Sequence, residues 1–579
     1  MRPYRTWRWL GLTVLAMGLG CQPATQPEAP AAAGDNLFTD VTEEAGLLGF
    51  HHVTGAFGEK WFPESMGSGC GFIDYDGDGL VDILLAGGGA WPQSGIEPPQ
   101  AIWLYHNLGG GRFALVTREA GLADAPGYSI GFGVGDYDND GDQDFVMTTL
   151  TQDRMYRNDG GVFTDVTDLS GIGDHSGWST SAAFFDADRD GLVDLYIGNY
   201  VRWSPETDLF CTHDGTIKGY CTPETYDGLP GRFYHNQGDG TFADWTERAG
   251  FGAAYGTTLG ILTFDFDRNE WPDLMFANDT RPDQLFVNNG DGTFTERGAQ
   301  SGVAYDEKGR ARAGMGIDAG VVDSTGEVTV FVGNFSREMI GVYRYGGSGY
   351  FLDRAAASKI GRSSLLTLTF GLALLDIDLD GDLDLFAANG HVQPDIEEFA
   401  DNVRYAEPAH VFMNQGNGTF EDVAAHIGGA AARPIVARGL AYADIDNDGD
   451  QDVLVVENGR GAHLWRNEAN AQGYLRVRTQ GGPSNRGGLG VRIVAVAGSR
   501  RMERYIRSGS SYLTASEQVA TFGLGGAGTE VDSLYLYWPS GHVDRHAGVP
   551  AGRQWLAVEG AASLEPDRAP SSSKTSPSP

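Results

Sequence analysis

The sequence predicts an all-β protein: a seven-bladed β-propeller with acidic hairpin loops, followed by a small C-terminal β-sandwich. Glycine makes up 85 of the 579 residues, about twice its usual share of roughly 7%, which disfavours long helices. An acidic nine-residue pattern recurs at intervals of 50 to 79 residues, as expected for one supersecondary unit per repeat. The recurrence stops at residue 469, and further strand-like runs follow.

Composition excludes two classes of protein. The chain carries 41 Lys and Arg against 78 Asp and Glu, for a formal net charge of −37. Nucleic-acid binding needs a basic face for the phosphates, so we expect no nucleic-acid partner. With 41% hydrophobic residues, the chain can form a large core, which excludes wholesale disorder.

The first 20 residues are predicted to be a signal peptide. Three arginines precede the apolar run Trp9–Leu19, which is too short to span a membrane as a stable helix. Cys21 follows directly and resembles the lipidated cysteine of a bacterial lipoprotein, although Gly18 departs from that motif. The alternative is an ordinary secretory peptide cut near residues 31–33.

Residues 21–35 lack hydrophobic periodicity and are predicted to be a flexible tether. Either cleavage implies an exported protein, as an outer-membrane or cell-surface lipoprotein or in secreted form. We expect contact with a membrane only through a lipid anchor.

The acidic pattern is D-x-D-x-D-G-x-x-D, and it lies between two strand-like runs in each repeat. Six copies are nearly complete, and in the fourth Glu270 replaces the glycine. Another copy, Val321–Thr329, keeps only Asp323 among the ligand positions. The predicted metal ligands are Asp74, Asp76, Asp78 and Asp82; Asp136, Asp138, Asp140 and Asp144; Asp186, Asp188, Asp190 and Asp194; Asp265, Asp267, Asn269 and Asp273; Asp376, Asp378, Asp380 and Asp384; and Asp444, Asp446, Asp448 and Asp452.

This spacing suits one hard cation in each loop. Carboxylates at positions one, three, five and nine, with a backbone carbonyl at position seven, can surround Ca²⁺, and the glycine permits the sharp turn. Mg²⁺ is disfavoured because it rarely sits in an all-protein oxygen cage. The alternative is a set of solvated acidic turns without metal. We expect about six calcium ions per chain.

A second motif predicts the other half of each blade. An aromatic or aliphatic pair, an asparagine, a glycine turn and a phenylalanine follow each loop, as in YHNLGGGRF from Tyr105. This motif is typical of a hairpin, so each repeat supplies four strands. The seventh repeat lacks the final strand, and Phe38–Leu47 carries the missing sequence. The propeller is therefore predicted over residues 36–469, with its N-terminal strand completing the last blade.

The C-terminal part has no repeat. Strand-like runs at 474–479, 490–497, 518–525 and 532–541 predict a β-sandwich over residues 470–560. Residues 561–579 are predicted to be a disordered tail.

The cysteines are compatible with export. Cys211 and Cys221 lie ten residues apart and are predicted to form a disulfide, with two free thiols as the alternative. Cys70 is expected to be a small buried hydrophobe.

These motifs together resemble known modules. The acidic blades resemble FG-GAP/VCBS repeats, which also occur in integrin α-subunits. The blocks SNRGGLGVRIVAVAG, TFGLGG and WPSG resemble the ASPIC/UnbV domain. Their combination is similar to bacterial members of the cartilage acidic protein family. The resemblance implies an exported calcium-binding propeller with an adhesive or scaffolding role.

The second strands of the blades are predicted to end on the face opposite the acidic loops, at a common mouth. Propeller mouths often bind ligands. The alternative is that these polar side chains only cap turns. The candidate ligand-binding residues there are His52, Lys60, Glu64, Asn278, Asp279, Asn334, Glu338 and His391.

Two functions follow from these features. The first is a binding or scaffold protein of the adhesion type at the cell surface, with an extracellular protein or glycan as its partner. The alternative is a calcium-dependent polysaccharide lyase or hydrolase with its site at the mouth. The sequence carries no nucleophile elbow, HExxH motif or P-loop, and no catalytic residue is assigned.

Overall fold

The computed structural model describes residues 37–173, 177–212, 215–427, 429–469, 473–526 and 528–567. The predicted signal peptide, Cys21 and the tether through residue 35 lie outside the described residues. Within the described ranges, no helix is both long and apolar enough to cross a membrane.

Strands dominate the fold, which confirms the all-β class. The described part of the repeat region forms seven four-stranded antiparallel sheets, called here repeat sheets one to seven. Their strands are Cys70–Ile73, Asp82–Ala86, Ile102–Asn107 and Phe113–Leu115; Ser129–Gly135, Asp144–Thr149, Arg154–Asn158 and Phe163–Asp165; Ser179–Phe185, Asp194–Asn199, Arg232–Asn236 and Phe242–Asp244; Thr258–Phe264, Asp273–Asn278, Gln284–Asn288 and Phe294–Glu296; Ile317–Val321, Val328–Val332, Gly341–Tyr345 and Phe351–Asp353; Thr369–Leu375, Asp384–Asn389, His410–Asn414 and Phe420–Asp422; and Ala437–Ala443, Asp452–Glu457, Ala462–Asn467 and Phe38–Asp40.

The repeat sheets are arranged in a propeller-like ring. The first strands of consecutive sheets contact one another, and the first strand of sheet seven contacts that of sheet one. The first two strands of each sheet are buried almost throughout. They read as continuous apolar or small-residue runs because neighbouring sheets cover both of their faces.

The N-terminal strand completes repeat sheet seven, as predicted. Phe38 pairs with Asn467, and Asp40 pairs with Trp465. The Phe38 ring is buried and contacts the Phe386 ring edge-on in sheet six. The first and last segments of the repeat region thus close one sheet, which covers an edge that would otherwise be unpaired.

Short elements connect the sheets. Cys211–Thr212 pairs with Lys218–Gly219 in an insertion of repeat sheet three, and Cys211 and Cys221 form the predicted disulfide. Cys70 is buried and unpaired, as expected. The remaining elements are the two-residue pair Leu229–Pro230 and Tyr255–Gly256, the α-helical turns Thr167–Ser170, Gly298–Ser301, Ile360–Ser363 and Ala424–Ile427, and the 3₁₀ turns Phe62–Ser65, Pro205–Thr207, Pro223–Thr225, Ser364–Leu366 and Ile396–Glu398.

The C-terminal region is a sandwich of two four-stranded sheets that share one apolar core. The sequence predicted four of these strands and missed the other four. The predicted disordered tail over residues 561–579 is wrong for its described part, because Glu565 pairs with Leu556 and Asp567 binds Arg478. One sheet contains Val519–Gly523, Tyr474–Gln480, Arg553–Val558 and Glu565–Pro566, and the other contains Arg500–Tyr505, Arg492–Ala497, Glu530–Tyr537 and Val543–Pro550.

One loop of the sandwich lies inside the ring. This axial loop, residues 506–518, connects strands of the two sandwich sheets and contacts the first strand of every repeat sheet. Gly69 permits its close approach, since a Cβ there would lie 1.8 Å from the Leu513 carbonyl oxygen. The contacts join Ala515 to Phe72, Leu513 to Phe132 and Ser181, Ser511 to Ile317 and Leu440, and Tyr512 to Phe370. In repeat sheet four, Gly260 leaves room for the loop, because a Cβ there would lie 3.2 Å from the Ser511 carbonyl oxygen.

Candidate metal centres

Each acidic loop joins the first two strands of its sheet, as predicted, and the aspartate at position one organises its turn. In the first loop, the two carboxylate oxygens of Asp74 accept hydrogen bonds from the amides of Asp78 and Gly79, each at 3.1 Å. The position-one aspartates of the second, third, fourth and seventh loops accept the equivalent two amides at 2.9 to 3.1 Å. In the sixth loop, Asp376 accepts the Gly381 amide at 3.2 Å, and its other oxygen accepts the Gly523 amide of the C-terminal region at 2.8 Å. The loop is thereby wound around its own carboxylates.

The turn requires a left-handed residue at position six. Gly79 has a φ of +85° there, a conformation that costs glycine little. In the fourth loop Glu270 adopts a φ of +71° at the same position. Its carboxylate lies 3.6 Å from Arg189 of the third loop. The fourth loop therefore keeps the shape of the others without the glycine.

The aspartate at position nine is buried in every one of the six acidic loops. Asp144 is fully buried, and its two oxygens accept hydrogen bonds from the amides of Tyr137 at 3.0 Å and Asn158 at 2.8 Å. The same pair of bonds recurs at Asp82, Asp194, Asp273, Asp384 and Asp452.

In four loops, one carboxylate oxygen of the aspartate at position three accepts no hydrogen bond from the described residues. That oxygen is the buried Oδ1 atom of Asp76, Asp138, Asp188 and Asp446. A buried anionic oxygen without a partner is costly. One atom each of Asp136, Asp138 and Asp144 lies within 4.8 Å of the other two, and equivalent groups form in the first and fourth loops. These oxygens fit a cation held between them.

The pKa values report the same crowding. Burial, followed by repulsion from neighbouring carboxylates, raises the pKa of Asp136 to about 7, and burial raises the pKa of Asp144 to about 9. Burial, followed by repulsion from neighbouring carboxylates, also raises the pKa of Asp74 and of Asp186 to about 7. A divalent cation in the loop favours the ionised carboxylates.

Asparagines from the third strands tie neighbouring loops together. The backbone amide of Asn158 binds Asp144 of its own loop, and its side chain donates at 2.8 Å to the Tyr75 carbonyl in the preceding loop. The same arrangement joins five other pairs of loops, through Asn107, Asn236, Asn288, Asn414 and Asn467. In the sequence these asparagines mark the hairpin turns, and their regular spacing could have indicated a role between repeats.

The fifth loop pairs its remaining aspartate with an arginine. Asp323 accepts a hydrogen bond from Arg344 at 3.0 Å, and the two side chains are 7% and 35% exposed. Arg344 lies in the third strand, and Tyr345 stands where the other repeats have asparagine. A guanidinium therefore supplies the positive charge in a loop that has lost three carboxylates.

The sandwich covers part of the face that carries the acidic loops. Arg504 lies 3.2 Å from Asp376 in the sixth loop, and Arg476 lies 3.2 Å from Asp444 in the seventh. Glu517 also binds Arg476. Two position-one aspartates are thus shared between a loop and the C-terminal region.

The predicted mouth residues lie on the other side of the repeat sheets, and most are buried. The Glu64 Oε2 atom accepts a hydrogen bond from the Tyr220 hydroxyl at 3.1 Å, and Oε1 has no partner among the described residues. Burial raises the pKa of Glu64 to about 7. His391 accepts the Gln393 amide, and Gln393 binds Tyr220. Glu64 and His391 thus meet in one network.

The other mouth residues are engaged in separate internal contacts. His52 is fully buried, and its Nδ1 atom accepts the Gly459 amide at 3.0 Å. Burial lowers its pKa to about 3. These internal hydrogen-bond partners are consistent with the alternative that the side chains only cap turns. A ligand-binding role stays a prediction. The remaining contacts are Lys60 with Asp395 at 3.4 Å, Asn278 with Thr258 at 2.9 Å, Asp279 with Tyr200 at 2.6 Å, Asn334 with Met339 at 2.7 Å and Glu338 with Ala313 at 2.7 Å.

Comparison with protein families identifies both modules. The family described as FG-GAP-like repeat matches residues 74–147, 136–197 and 399–455. The family described as ASPIC and UnbV matches residues 481–564. The chain therefore contains FG-GAP repeats and an ASPIC/UnbV domain, as the resemblance implied.

Two curated proteins are similar in sequence to part of this chain. The chain is 28% identical over 286 residues to cartilage acidic protein 1 of Xenopus tropicalis, covering 47% of this chain and 40% of that protein. It is 26% identical over 286 residues to cartilage acidic protein 1 of Homo sapiens, covering 46% and 39%. The aligned region thus spans about 40% of the length of these relatives.

Among solved structures, a lectin of Agrocybe aegerita that recognises non-reducing terminal N-acetylglucosamine is similar at 17% identity. The match covers 60% of this chain and 77% of the lectin, with a TM-score of 0.37.

Proposed function

We propose that this protein is an exported, calcium-binding β-propeller that acts as a binding or scaffold protein at the cell surface. The observation that carries the proposal is the set of six loops whose carboxylates converge, with buried position-three oxygens that lack donors in four of them. Calcium would compensate this charge and hold each loop against its neighbour. The disulfide between Cys211 and Cys221 supports an oxidising compartment.

Direct metal analysis tests the calcium assignment. Mature protein dialysed against calcium should retain about six ions per chain by elemental analysis. Asp138→Asn should reduce the number by one, and Arg157→Ala, which removes an exposed pair with Asp159 but no predicted ligand, should not. Retention of seven ions, or of none, would contradict the assignment.

The mouth is the surface that we propose for a protein or glycan ligand. Residues from the long segment before repeat sheet one and from the insertion of sheet three form an aromatic cluster there, in which Trp61 contacts Trp91 and Trp203. Trp203 and Phe57 are partly exposed. Aromatic faces of this kind suit sugar rings and protein side chains.

A glycan array probed with the mature protein tests this surface. Binding that falls with Trp203→Ala and persists with Trp271→Ala, on the loop-bearing face, would support it. Binding that both variants retain would place any ligand elsewhere.

The enzymatic alternative depends on Glu64. Its raised pKa and unpartnered oxygen are typical of a carboxyl group in acid–base chemistry, but the side chain is only 2% exposed. Activity on polysaccharides that disappears in Glu64→Gln, with an unchanged melting temperature, would favour an enzyme. No turnover by wild type on a lyase and hydrolase panel would reject it.

A further inference from the structure

Two acidic loops have an imidazole at their edge. His106 and His235 occupy equivalent positions in the third strands of repeat sheets one and three, each one residue before the asparagine that ties the loops. The His106 Nδ1 atom lies 3.2 Å from Asp82 and 3.8 Å from Asp76. The His235 Nε2 atom lies 2.9 Å from Asp188.

Each imidazole lies close to two carboxylates that could bind the same metal ion. One atom each of Asp76, Asp78 and His106 lies within 4.8 Å of the other two. The same holds for Asp188, Asp190 and His235. Two ligands bound at about 2.1 Å to one octahedral ion lie about 3 Å apart, compared with 2.9 Å between His235 and Asp188 and 3.8 Å between His106 and Asp76.

An independent observation points to a missing ligand at both sites. The Oδ1 atoms of Asp76 and Asp188 are buried and have no hydrogen-bond partner among the described residues. The imidazole faces the other oxygen, Oδ2, of each carboxylate, and Oδ1 stays available for a cation.

Packing holds both rings in place. The His235 ring stacks on Trp245 at 3.7 Å between centroids, and Arg248 lies over the same indole. Gln237 lies 2.9 Å from the other ring nitrogen of His235. His106 contacts the Tyr75 ring edge-on at 5.7 Å. A ring fixed in this way offers its nitrogen with little loss of entropy on binding.

The other four acidic loops lack a nitrogen ligand at this position. Arg157 and Arg466 stand there in repeat sheets two and seven, paired with Asp159 and Glu468. Val287 and Met413 stand there in sheets four and six.

We propose that the first and third loops are mixed carboxylate–imidazole sites that bind a divalent transition-metal ion of the Co²⁺ or Zn²⁺ class, in preference to the four oxygen-only loops. Imidazole suits these ions, whereas Ca²⁺ takes oxygen ligands. The inference rests on the proposed function, because it requires that the loops bind cations at all.

Cobalt serves as the probe. Full mature protein is dialysed against Co²⁺ in excess calcium, and both metals are counted by elemental analysis. We expect two cobalt ions per chain, and hyperfine-shifted imidazole signals from two histidines in the proton NMR spectrum. His106→Ala and His235→Ala should each remove one cobalt ion and one signal, with at least about tenfold weaker cobalt binding at the altered site.

A gain-of-function variant and a control complete the test. Met413→His places an imidazole at the equivalent position of repeat sheet six and should add a third cobalt ion. Arg157→Ala should leave the number at two. Because NMR reports the wild type directly, the test does not depend on the folding of any variant.

The outcomes separate the two proposals. Calcium retained at about six sites with no cobalt preference, or cobalt numbers unchanged in both histidine variants, overturns this inference and leaves the proposed calcium function standing. Retention of neither metal overturns both.

Discussion

The fifth loop and the acidic loop of repeat sheet two show two ways to stabilise the same turn. The second loop gathers four aspartates, and Asp138 keeps a buried oxygen without a donor. The fifth loop keeps one of these aspartates, Asp323, and pairs it with Arg344 at 3.0 Å. Both loops connect the first two strands of a four-stranded sheet. The comparison indicates that the turn needs a positive charge, which the proposed metal ion would supply in the second loop and which Arg344 supplies in the fifth.

The largest expected effect is that of chelation, which acts on the acidic loops and spares the fifth. Each cation that binds only the folded state stabilises it by about 2.7 kcal/mol at a hundredfold excess over its dissociation constant. Removal of several ions should therefore lower the melting temperature strongly in calorimetry with and without chelator. An unchanged melting curve, on protein verified to be metal-free, would show that the loops need no cation.

The pH dependence of the chelated protein is expected to be next in size. The pKa of Asp74, Asp136 and Asp186 rises from 3.8 to about 7 in the folded state without metal. The folded state then binds protons that the unfolded state has released, so its stability falls as pH rises from about 4 to about 7. Calcium-loaded protein should show the opposite trend, because the ion binds ionised carboxylates.

Denaturant unfolding at pH 5 and pH 8, each with calcium and with chelator, measures this effect. A chelated protein that is equally stable at both pH values would contradict the crowding of carboxylates in the acidic loops.

Substitution at position three compares the two loops directly. Asp138→Asn should destabilise the calcium-loaded protein by about 2 kcal/mol and leave the chelated protein unchanged or slightly more stable, because repulsion is relieved. Asp323→Asn should destabilise by about 1 kcal/mol in both conditions, because its partner is Arg344. The value is reduced for the solvent exposure of Arg344.

Urea unfolding of the two variants with and without calcium provides the measurement. If both variants respond to calcium in the same way, the fifth loop also binds metal and the comparison fails.

The smallest effect is expected for the arginines of these sheets. Arg344→Ala should destabilise the protein by about 1 kcal/mol independently of calcium, because Asp323 is 7% exposed and loses its charged partner. Arg157→Ala is the matched control, since the pair of Arg157 and Asp159 is exposed and its loss should cost under about 0.5 kcal/mol. Equal melting temperatures for the two variants would show that Arg344 does not replace a cation.

The repeat architecture could be predicted because short runs of contiguous residues encode it. The acidic spacing within nine residues specified the turn, and the alternation of loop and glycine hairpin specified four strands per repeat. The displaced Phe38–Leu47 segment identified the closing strand, which pairs with Ala462–Asn467. These predictions succeeded because each depends on local periodicity or on the match of one segment to its repeats.

Contacts between segments that share no sequence pattern could not be predicted and became visible in the folded chain. The axial loop at residues 506–518 reaches every repeat sheet through contacts such as that of Leu513 with Ser181. No local spacing encodes such a contact, so the sandwich was predicted as a separate unit. His106 and His235 were missed because the sequence does not show which loop their strand faces. The pairing of Arg344 with Asp323 was missed for the same reason: a charge finds its partner through the geometry of the assembled sheet.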